Sequence, residues 1–479
     1  MSLGNPDAVT RADPPPSPAP LVPAPIAPPP PGARRAGGGG WRRRVGRSLG
    51  QRLTDDPLRR NSLWLMASMV ANQALGAAFW LTSARYFTAA TVGLATGITS
   101  LMTITSMISN VGAPTALVQL LPGRRSVEEW STTFSAGVIA AVVASAVGAV
   151  IALAFVGAIS SHLSILHDHA WIAVLFVLGT TLTSLSSVLD FVMIAEQASE
   201  LMAIRAFVFG ITKLPVLLVP AVTALLTPSL DLILVAWVVG WLCCCALGLR
   251  MIRTRLHARA RLLVRGTLAE IRMMARNLAG NHFTSLGNVL PTYLLPVIVI
   301  SRLSTADNAY FYMTWMIGGV FFMISGTIGS ALFADGMRSP ETLVARVRSS
   351  ARFTAVLAAP AMLVAIVLGY PILSLFGHAY AARGYTLLLI LTVCAVPDAI
   401  TNLYVAVLRV HDRLRACSLL TMGMAAFALV AAWIVAPSTG LVGIGVAWGV
   451  SQALGSLWVA WDVLGPGRRP ATGSGAGGE

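Results

Sequence analysis

The sequence contains few charged residues. Asp, Glu, Lys and Arg together make up 11% of its 479 residues, whereas a soluble globular protein carries about 25%. Hydrophobic residues reach 56%, and the mean hydropathy is +0.74. This composition excludes a soluble enzyme, a disordered interaction protein and a secreted disulfide scaffold. It indicates that lipid is the main solvent of the chain.

Lysine is almost absent, and acidic residues are scarce. Lys+Arg total 34 against 19 Asp+Glu, for a net charge of +15, and Lys213 is the single lysine. Nucleic-acid-binding proteins are also strongly basic, but the arginines here form short clusters between apolar runs. Because that arrangement is typical of the cytoplasmic loops of membrane proteins, we predict no nucleic-acid partner.

Catalytic and metal-binding motifs are missing as well. The five cysteines all fall in apolar runs, and none has metal-ligand spacing with a histidine nearby, so we predict buried thiols, no disulfide and no metal. Phosphate-binding GxxxxGK[ST], HExxH and GxSxG patterns do not occur, which favours a protein that is not an enzyme and needs no cofactor. An enzyme using outer-loop residues such as His162, His167 and Asp168 stays open as an alternative.

Long apolar runs are what the sequence does contain. From residue 61 onward, runs of about 18 to 28 residues recur, and each is long enough to cross about 30 Å of hydrocarbon as a helix. We predict an all-α polytopic membrane protein with about 12 transmembrane helices. The predicted spans lie near 62–83, 91–118, 131–158, 171–194, 204–227, 231–249, 279–301, 308–332, 353–375, 384–408, 417–437 and 441–463.

These spans divide into two bundles of six. Twelve of the 27 prolines lie between Pro6 and Pro31, a composition that cannot build a core and predicts a disordered cytoplasmic extension. The predicted organisation is a Pro/Gly/Arg-rich tail (1–60), an N-terminal six-helix bundle (61–250), a basic cytoplasmic connector (251–277), a C-terminal six-helix bundle (278–464) and a disordered C-terminal tail (465–479).

The distribution of arginine predicts the orientation. With the N-terminus inside, 30 arginines fall in cytoplasmic segments, Arg205 among them, and only Arg85, Arg302 and Arg383 fall outside. The two halves also match each other: Asn72 aligns with Asn288 at an offset of 216, and Arg85 aligns with Arg302 one inserted residue later. Because six spans is an even number, the repeat is parallel.

Polar residues inside apolar spans are the candidate site residues, because each costs a few kcal/mol in lipid unless it faces a cavity or a partner. For Asp190 and Lys213 the alternative to a cavity lining is a structural pair between them, and for Asp398 it is a hydrogen bond within the bundle. Arg85 and Arg302 at helix ends have the alternative of reaching the membrane interface. The predicted cavity residues are Asn72, Gln73, Arg85, Asp190, Lys213, Asn288, Arg302 and Asp398.

Three segments carry a resemblance to a known family. SARYFTAATVGLATGITSLM (83–102), NVGAPTALVQLLP (110–122) and PILSLFGHAYAARGYTLLLIL (371–391) resemble motifs of the polysaccharide transporter family of Wzx-type flippases. That family belongs to the superfamily of multidrug, oligosaccharidyl-lipid and polysaccharide exporters (the MOP superfamily). The resemblance covers residues 61 to about 463.

The resemblance implies a MOP-like fold and a flippase of the bacterial cytoplasmic membrane. Its substrate would be a polyprenyl-diphosphate-linked oligosaccharide, moved to the outer leaflet by alternating access through a cationic cavity between the halves. The implied partners are this lipid-linked glycan, anionic membrane lipids and glycan polymerases or glycosyltransferases. Two alternatives remain: a MATE-type drug or cation antiporter, and a membrane-embedded glycan-assembly enzyme or scaffold.

The arginine asymmetry predicts that both termini are cytoplasmic. Topology reporters fused at Gly37 and at Gly473 should therefore both read inside in intact cells. An outside signal at either position would contradict the twelve-span arrangement.

Overall fold

Regular structure in the described part of the chain consists of helices. The computed structural model describes residues 57–464 apart from 111, 224–228, 258–260, 262–263 and 265. Side chains at 57–63, 65–70, 159, 219–223, 275–286, 288 and 340 are also outside the description. The predicted tails therefore lie outside it, except for the backbone of residues 57–60.

Among the described residues, the N-terminal half, up to Met251, contains eight α-helices. They are α1 (Pro57–Tyr86), α2 (Ala89–Ser109), α3 (Ala113–Leu120), α4 (Val127–Ile159), α5 (Ile165–Asp168), α6 (Ala170–Ala195), α7 (Ser199–Thr223) and α8 (Leu230–Met251). The C-terminal half contains α9 (Thr267–Arg302), α10 (Thr305–Arg338), α11 (Leu343–Ser374), α12 (His378–Val410) and α13 (Leu414–Leu464).

The long helices match the predicted membrane spans. Nine helices among the described residues are long and apolar enough to cross a membrane. Of these, α13 has 51 residues and bends at Gly440, whose φ of 63° and ψ of −147° are not helical. A positive φ is readily adopted only by glycine, so α13 is two helices that meet near residue 440. With α1 and α9, the described chain has twelve long helical segments, which confirms the all-α polytopic fold.

The second predicted span is wrong in one respect, because it is not a continuous helix. The sequence predicts a single span at 91–118, but α2 ends at Ser109 and a separate helix, α3, begins at Ala113. Pro114 lies in the first turn of α3. Gly112, just before α3, has a φ of 79°, a left-handed conformation that interrupts a helix and that glycine adopts readily, so the helix breaks there although the segment stays apolar.

Each half packs mainly within itself. In the N-terminal half α1 packs on α7, α7 on α8, and α6 lies between α4 and α8; in the C-terminal half α12 contacts α10, α11 and α13, and α9 packs on α13. The halves meet chiefly where α2 packs against α9 and α10. This contact involves the beginning of α2 and α10, at the predicted outer end of the bundle.

Close approach of backbones holds α2 against α10. A Cβ atom at Gly93 would overlap the carbonyl oxygen of Thr305. Next to this contact the fully buried Asn308 donates from Nδ2 to the Gly93 carbonyl (2.7 Å) and to Thr96 Oγ1 (3.0 Å). Small residues and interhelical hydrogen bonds are the usual basis of helix packing in membranes.

Part of the predicted connector is docked on the N-terminal half. Helix α9 begins at Thr267, within the predicted connector range, and Glu270 in its first turn pairs with Arg124 and accepts from Thr133 Oγ1 (2.7 Å). Ser135 Oγ of α4 donates to the Arg261 carbonyl (2.9 Å). The start of α9 is therefore tied to α4 by polar contacts.

Replacing Gly93 should separate the halves. Gly93→Ala puts a methyl group into the space of the Thr305 carbonyl, and overpacking of this kind costs about 1–3 kcal/mol. We expect a lower Tm in detergent. Gly319→Ala on α10 is the matched control, because a Cβ there meets no atom within 4 Å and alanine is the better helix former. An unchanged Tm for Gly93→Ala would contradict this contact.

Candidate substrate cavities

A cavity of about 400 Å³ lies in the N-terminal half. Its walls come from α1, α2, α6, α7 and α8, with Tyr293, Tyr312 and Met316 of α9 and α10 closing one side. The lining combines hydroxyl and amide side chains with aromatic rings. The polar and charged members are Asn72, Gln73, Thr99, Ser100, Thr103, Ser106, Thr183, Ser186, Ser187, Asp190 and Lys213.

Lys213 lies among aromatic rings on this cavity. It is residue 15 of the 25 in α7, and it is 1% exposed. Its Nζ atom lies 4.2 Å from the ring centre of Phe209, 4.6 Å from that of Trp237 and 4.7 Å from that of Phe79. An aromatic ring at this distance stabilises a desolvated cation by about 2 kcal/mol. Among the described residues no carboxylate is within ion-pair distance of Lys213.

Asp190 pairs with Arg205, so the predicted alternative of an Asp190–Lys213 pair is wrong. Arg205 Nη1 donates to Asp190 Oδ1, and the Asp190 side chain is 30% exposed, on the cavity side. Arg205 was also expected in a cytoplasmic loop, but α7 begins at Ser199 and Arg205 is 0% exposed inside it. A buried guanidinium requires a counter-charge nearby, and Asp190 is the carboxylate that the packing of α6 on α7 supplies.

The candidate amides of α1 lie on the same cavity. Asn72 and Gln73 are both exposed and belong to its lining. The Asn288 side chain lies outside the described residues, so its place on a cavity stays a prediction.

A second cavity, of about 320 Å³, lies in the C-terminal half. Asp398 of α12 lines it and is 6% exposed. Its Oδ2 atom accepts from Ser325 Oγ of α10 (2.5 Å) and from Asn402 Nδ2 (2.9 Å). Thr401 Oγ1 next to it donates to Gln452 Oε1 of α13 (3.3 Å). The carboxylate is thus held by neutral donors, as in the predicted alternative of a hydrogen bond within the bundle, yet it also faces a cavity.

Arg85 and Arg302 line neither cavity. Arg85 Nε, at the end of α1, donates to the Leu375 carbonyl just after α11 (2.6 Å) and so joins the two halves. Arg302 Nε, at the end of α9, donates to the Trp433 carbonyl (3.2 Å), and its guanidinium lies 4.9 Å from the ring centre of Trp433. This second contact stays within the C-terminal half, so the two aligned arginines make different connections.

Several residues of these sites were not predicted from the sequence. Arg205 was missed because hydropathy placed it next to the start of its span at residue 204, whereas the helix begins at Ser199 and Arg205 lies well inside it. Two of the rings around Lys213, those of Phe79 and Trp237, lie on other helices, and so do the partners of Asn308, so no periodic pattern within one helix indicates these contacts. One indication of these contacts is present in the sequence. Lys213 is isolated in an apolar span, which implies that uncharged groups stabilise its charge.

No protein-family model and no curated protein sequence matches this chain. Solved structures do match. An inward-facing MATE family multidrug resistance transporter of the MOP superfamily has a TM-score of 0.61 at 14% identity, over 84% of this chain and 98% of that one. The lipid II flippase MurJ in an inward closed conformation has a TM-score of 0.66 at 12% identity, over 84% and 87%. The chain has the MATE/MurJ-like fold.

An outward-facing MATE family transporter matches as well, with a TM-score of 0.57 at 15% identity over 87% of this chain and 98% of that one. Identities this low show the fold alone. The MATE/MurJ-like fold confirms the predicted architecture, and membership of the polysaccharide transporter family stays a prediction. Both the flippase and the antiporter functions are compatible with this fold, so the chemistry of the cavities has to separate them.

Proposed function

We propose that this protein is a flippase of the bacterial cytoplasmic membrane for a polyprenyl-diphosphate-linked oligosaccharide, working by alternating access. The observation that carries the proposal is Lys213. Its ammonium borders the N-terminal cavity at the middle of α7, surrounded by rings and with no carboxylate in ion-pair distance among the described residues. An anion that enters the cavity would stabilise this ammonium group, and a diphosphate is an anion.

The rest of the cavity suits a sugar attached to that diphosphate. Hydroxyl and amide groups of α1, α2 and α6 offer hydrogen bonds, and Trp80, Trp241 and Tyr312 offer flat apolar faces. Cavities that combine aromatic walls with a few polar groups are typical of small-molecule sites. A polyprenyl tail can remain in the lipid while the head group occupies this space.

A MATE-type drug or cation antiporter is the second candidate, because MATE transporters share the fold. A cation-binding site in the N-terminal half would need an acidic group without a partner. Asp190 is instead paired with Arg205, which favours the flippase. The third candidate, a glycan-assembly enzyme or scaffold, has less support because the matching structures are transporters and a flippase.

The halves are closed against each other at the predicted outer end. Asn308 and Arg85 both make hydrogen bonds from one half to the other there. In alternating access these bonds would have to break when the cavity opens outward.

Removing the charge of Lys213 should abolish flipping. We expect Lys213→Ala and Lys213→Met to lose transport of a polyprenyl diphosphate that carries a fluorescent sugar, measured in proteoliposomes by dithionite quenching. Lys213→Arg should keep part of the activity because it keeps the cation. Arg383→Ala, an exposed arginine of α12, is the control and should transport normally. Loss of transport only in proportion to loss of folded protein would make Lys213 structural.

Removing the Arg85 contact should open the outer end more often. Ile300 of α9 is fully buried against Gly97 of α2, so Ile300→Cys reports separation of the halves. Arg85→Met should accelerate labelling of this cysteine by an impermeant maleimide from outside several-fold. Arg302→Met is the matched control, because it removes an arginine contact inside one half. Equal labelling rates in the two variants would contradict a role for Arg85 between the halves.

A further inference from the structure

The charge of the N-terminal cavity depends on a residue that does not line it. Among the described residues that form its wall, Asp190 and Lys213 are the only charged ones. Their formal charges of −1 and +1 would cancel. A cavity with no net charge would not select an anion over a cation. Arg205, fully buried behind the wall, changes this balance.

Contacts from α6 and α8 hold Arg205 against Asp190. Nη2 donates to Ser186 Oγ of α6 (2.8 Å) and Nε to the Cys244 carbonyl of α8 (3.3 Å), while Nη1 pairs with Asp190. Gly248 of α8 leaves the room for it, since a Cβ there would lie 2.7 Å from Arg205 Nε. Lys213 lies eight residues further along α7, about 12 Å at 1.5 Å per residue. The carboxylate is therefore engaged by Arg205 and not by Lys213.

We propose that Arg205 is the specificity-determining residue of the N-terminal cavity. By neutralising Asp190 it leaves Lys213 as the uncompensated charge of the wall, so that the cavity accepts the diphosphate group of a lipid and rejects lipophilic cations. This inference rests on the proposed function, because it concerns the same site. The surrounding rings stabilise Lys213 without adding negative charge, so they do not offset its effect on a ligand.

The cavity should lose its net positive charge when Arg205 is lost, because the charges of Asp190 and Lys213 then cancel. Asp190 would then present a free carboxylate to a low-dielectric cavity, where charges interact more strongly than in water. That carboxylate would repel the diphosphate and attract a cation. Removing both members of the pair should restore the original balance, because Lys213 again remains as the one charge.

Binding to the purified full-length protein in nanodiscs tests this directly. The probes are geranylgeranyl diphosphate, geranylgeraniol, which has the same tail and no charge, and the lipophilic cation tetraphenylphosphonium. We expect wild type to prefer the diphosphate over the alcohol. Arg205→Met should weaken diphosphate binding about tenfold or more, since like charges oppose association, and should gain binding of the cation. Arg205→Met/Asp190→Asn should recover the preference for the diphosphate over the alcohol and lose the gain in cation binding.

A second pair of variants leaves the buried Arg205 unchanged. Ser187 lines the cavity on α6, next to Ser186 and three residues from Asp190, and it is half-buried. Ser187→Asp adds a carboxylate while leaving the Arg205–Asp190 pair intact, and it should also weaken diphosphate binding and favour the cation. Ser187→Asn has nearly the same shape as Ser187→Asp without the charge, so the difference in diphosphate binding between these two variants measures the effect of the charge alone.

The outcomes separate the two proposals. If wild type does not prefer the diphosphate over the alcohol, both this inference and the proposed function are contradicted. If wild type has this preference but the folded double variant loses it, or Ser187→Asp keeps it, only the role of Arg205 is contradicted. Should Arg205→Met fail to fold, the double variant and the Ser187 pair decide the question.

Discussion

A charged side chain among membrane-spanning helices costs several kcal/mol unless its surroundings compensate it, and the N-terminal half meets this constraint in two ways. Arg205 is compensated by an opposite charge and by polar atoms of α6 and α8. Lys213 is compensated by the rings of Phe79, Phe209 and Trp237. The two cations therefore connect α1, α6, α7 and α8. Since rings carry no net charge, only Lys213 keeps its charge toward the cavity.

In the C-terminal half the same constraint acts on a charge of opposite sign, that of Asp398. Asp398 is held by a hydroxyl of α10 and an amide of α12. A second acid of this half, Asp462 near the end of α13, accepts two hydrogen bonds from Arg413 (2.7 and 3.2 Å). The two halves thus enclose cavities between corresponding helices, but one cavity carries a lysine and the other an aspartate. Their shared architecture does not extend to the charged residues.

Hydropathy predicted the helices well because lipid demands that every backbone polar group be satisfied within its own segment. A long apolar run in lipid therefore forms a helix, and the length of the helix can be estimated from the length of the run. The prediction failed at α2, where Gly112 interrupts the helix inside an apolar run, and at α7, which begins at Ser199 and not at residue 204. In both cases the helix boundary depends on backbone geometry, to which side-chain hydropathy is insensitive.

The amino-acid sequence by itself determined the number of long helices and the rare ionisable residues within them: Lys213, Asp190 and Asp398. Both follow from the chain alone, because helix formation in lipid is local and apolar runs are continuous. Only the tertiary structure decided which of these charges meet. Asp190 pairs with Arg205, two turns before Lys213 on α7, because the lateral packing of α6, α7 and α8 brings those two side chains together. Such contacts join residues on different helices, and the sequence of one helix does not indicate how that helix is rotated relative to its neighbours.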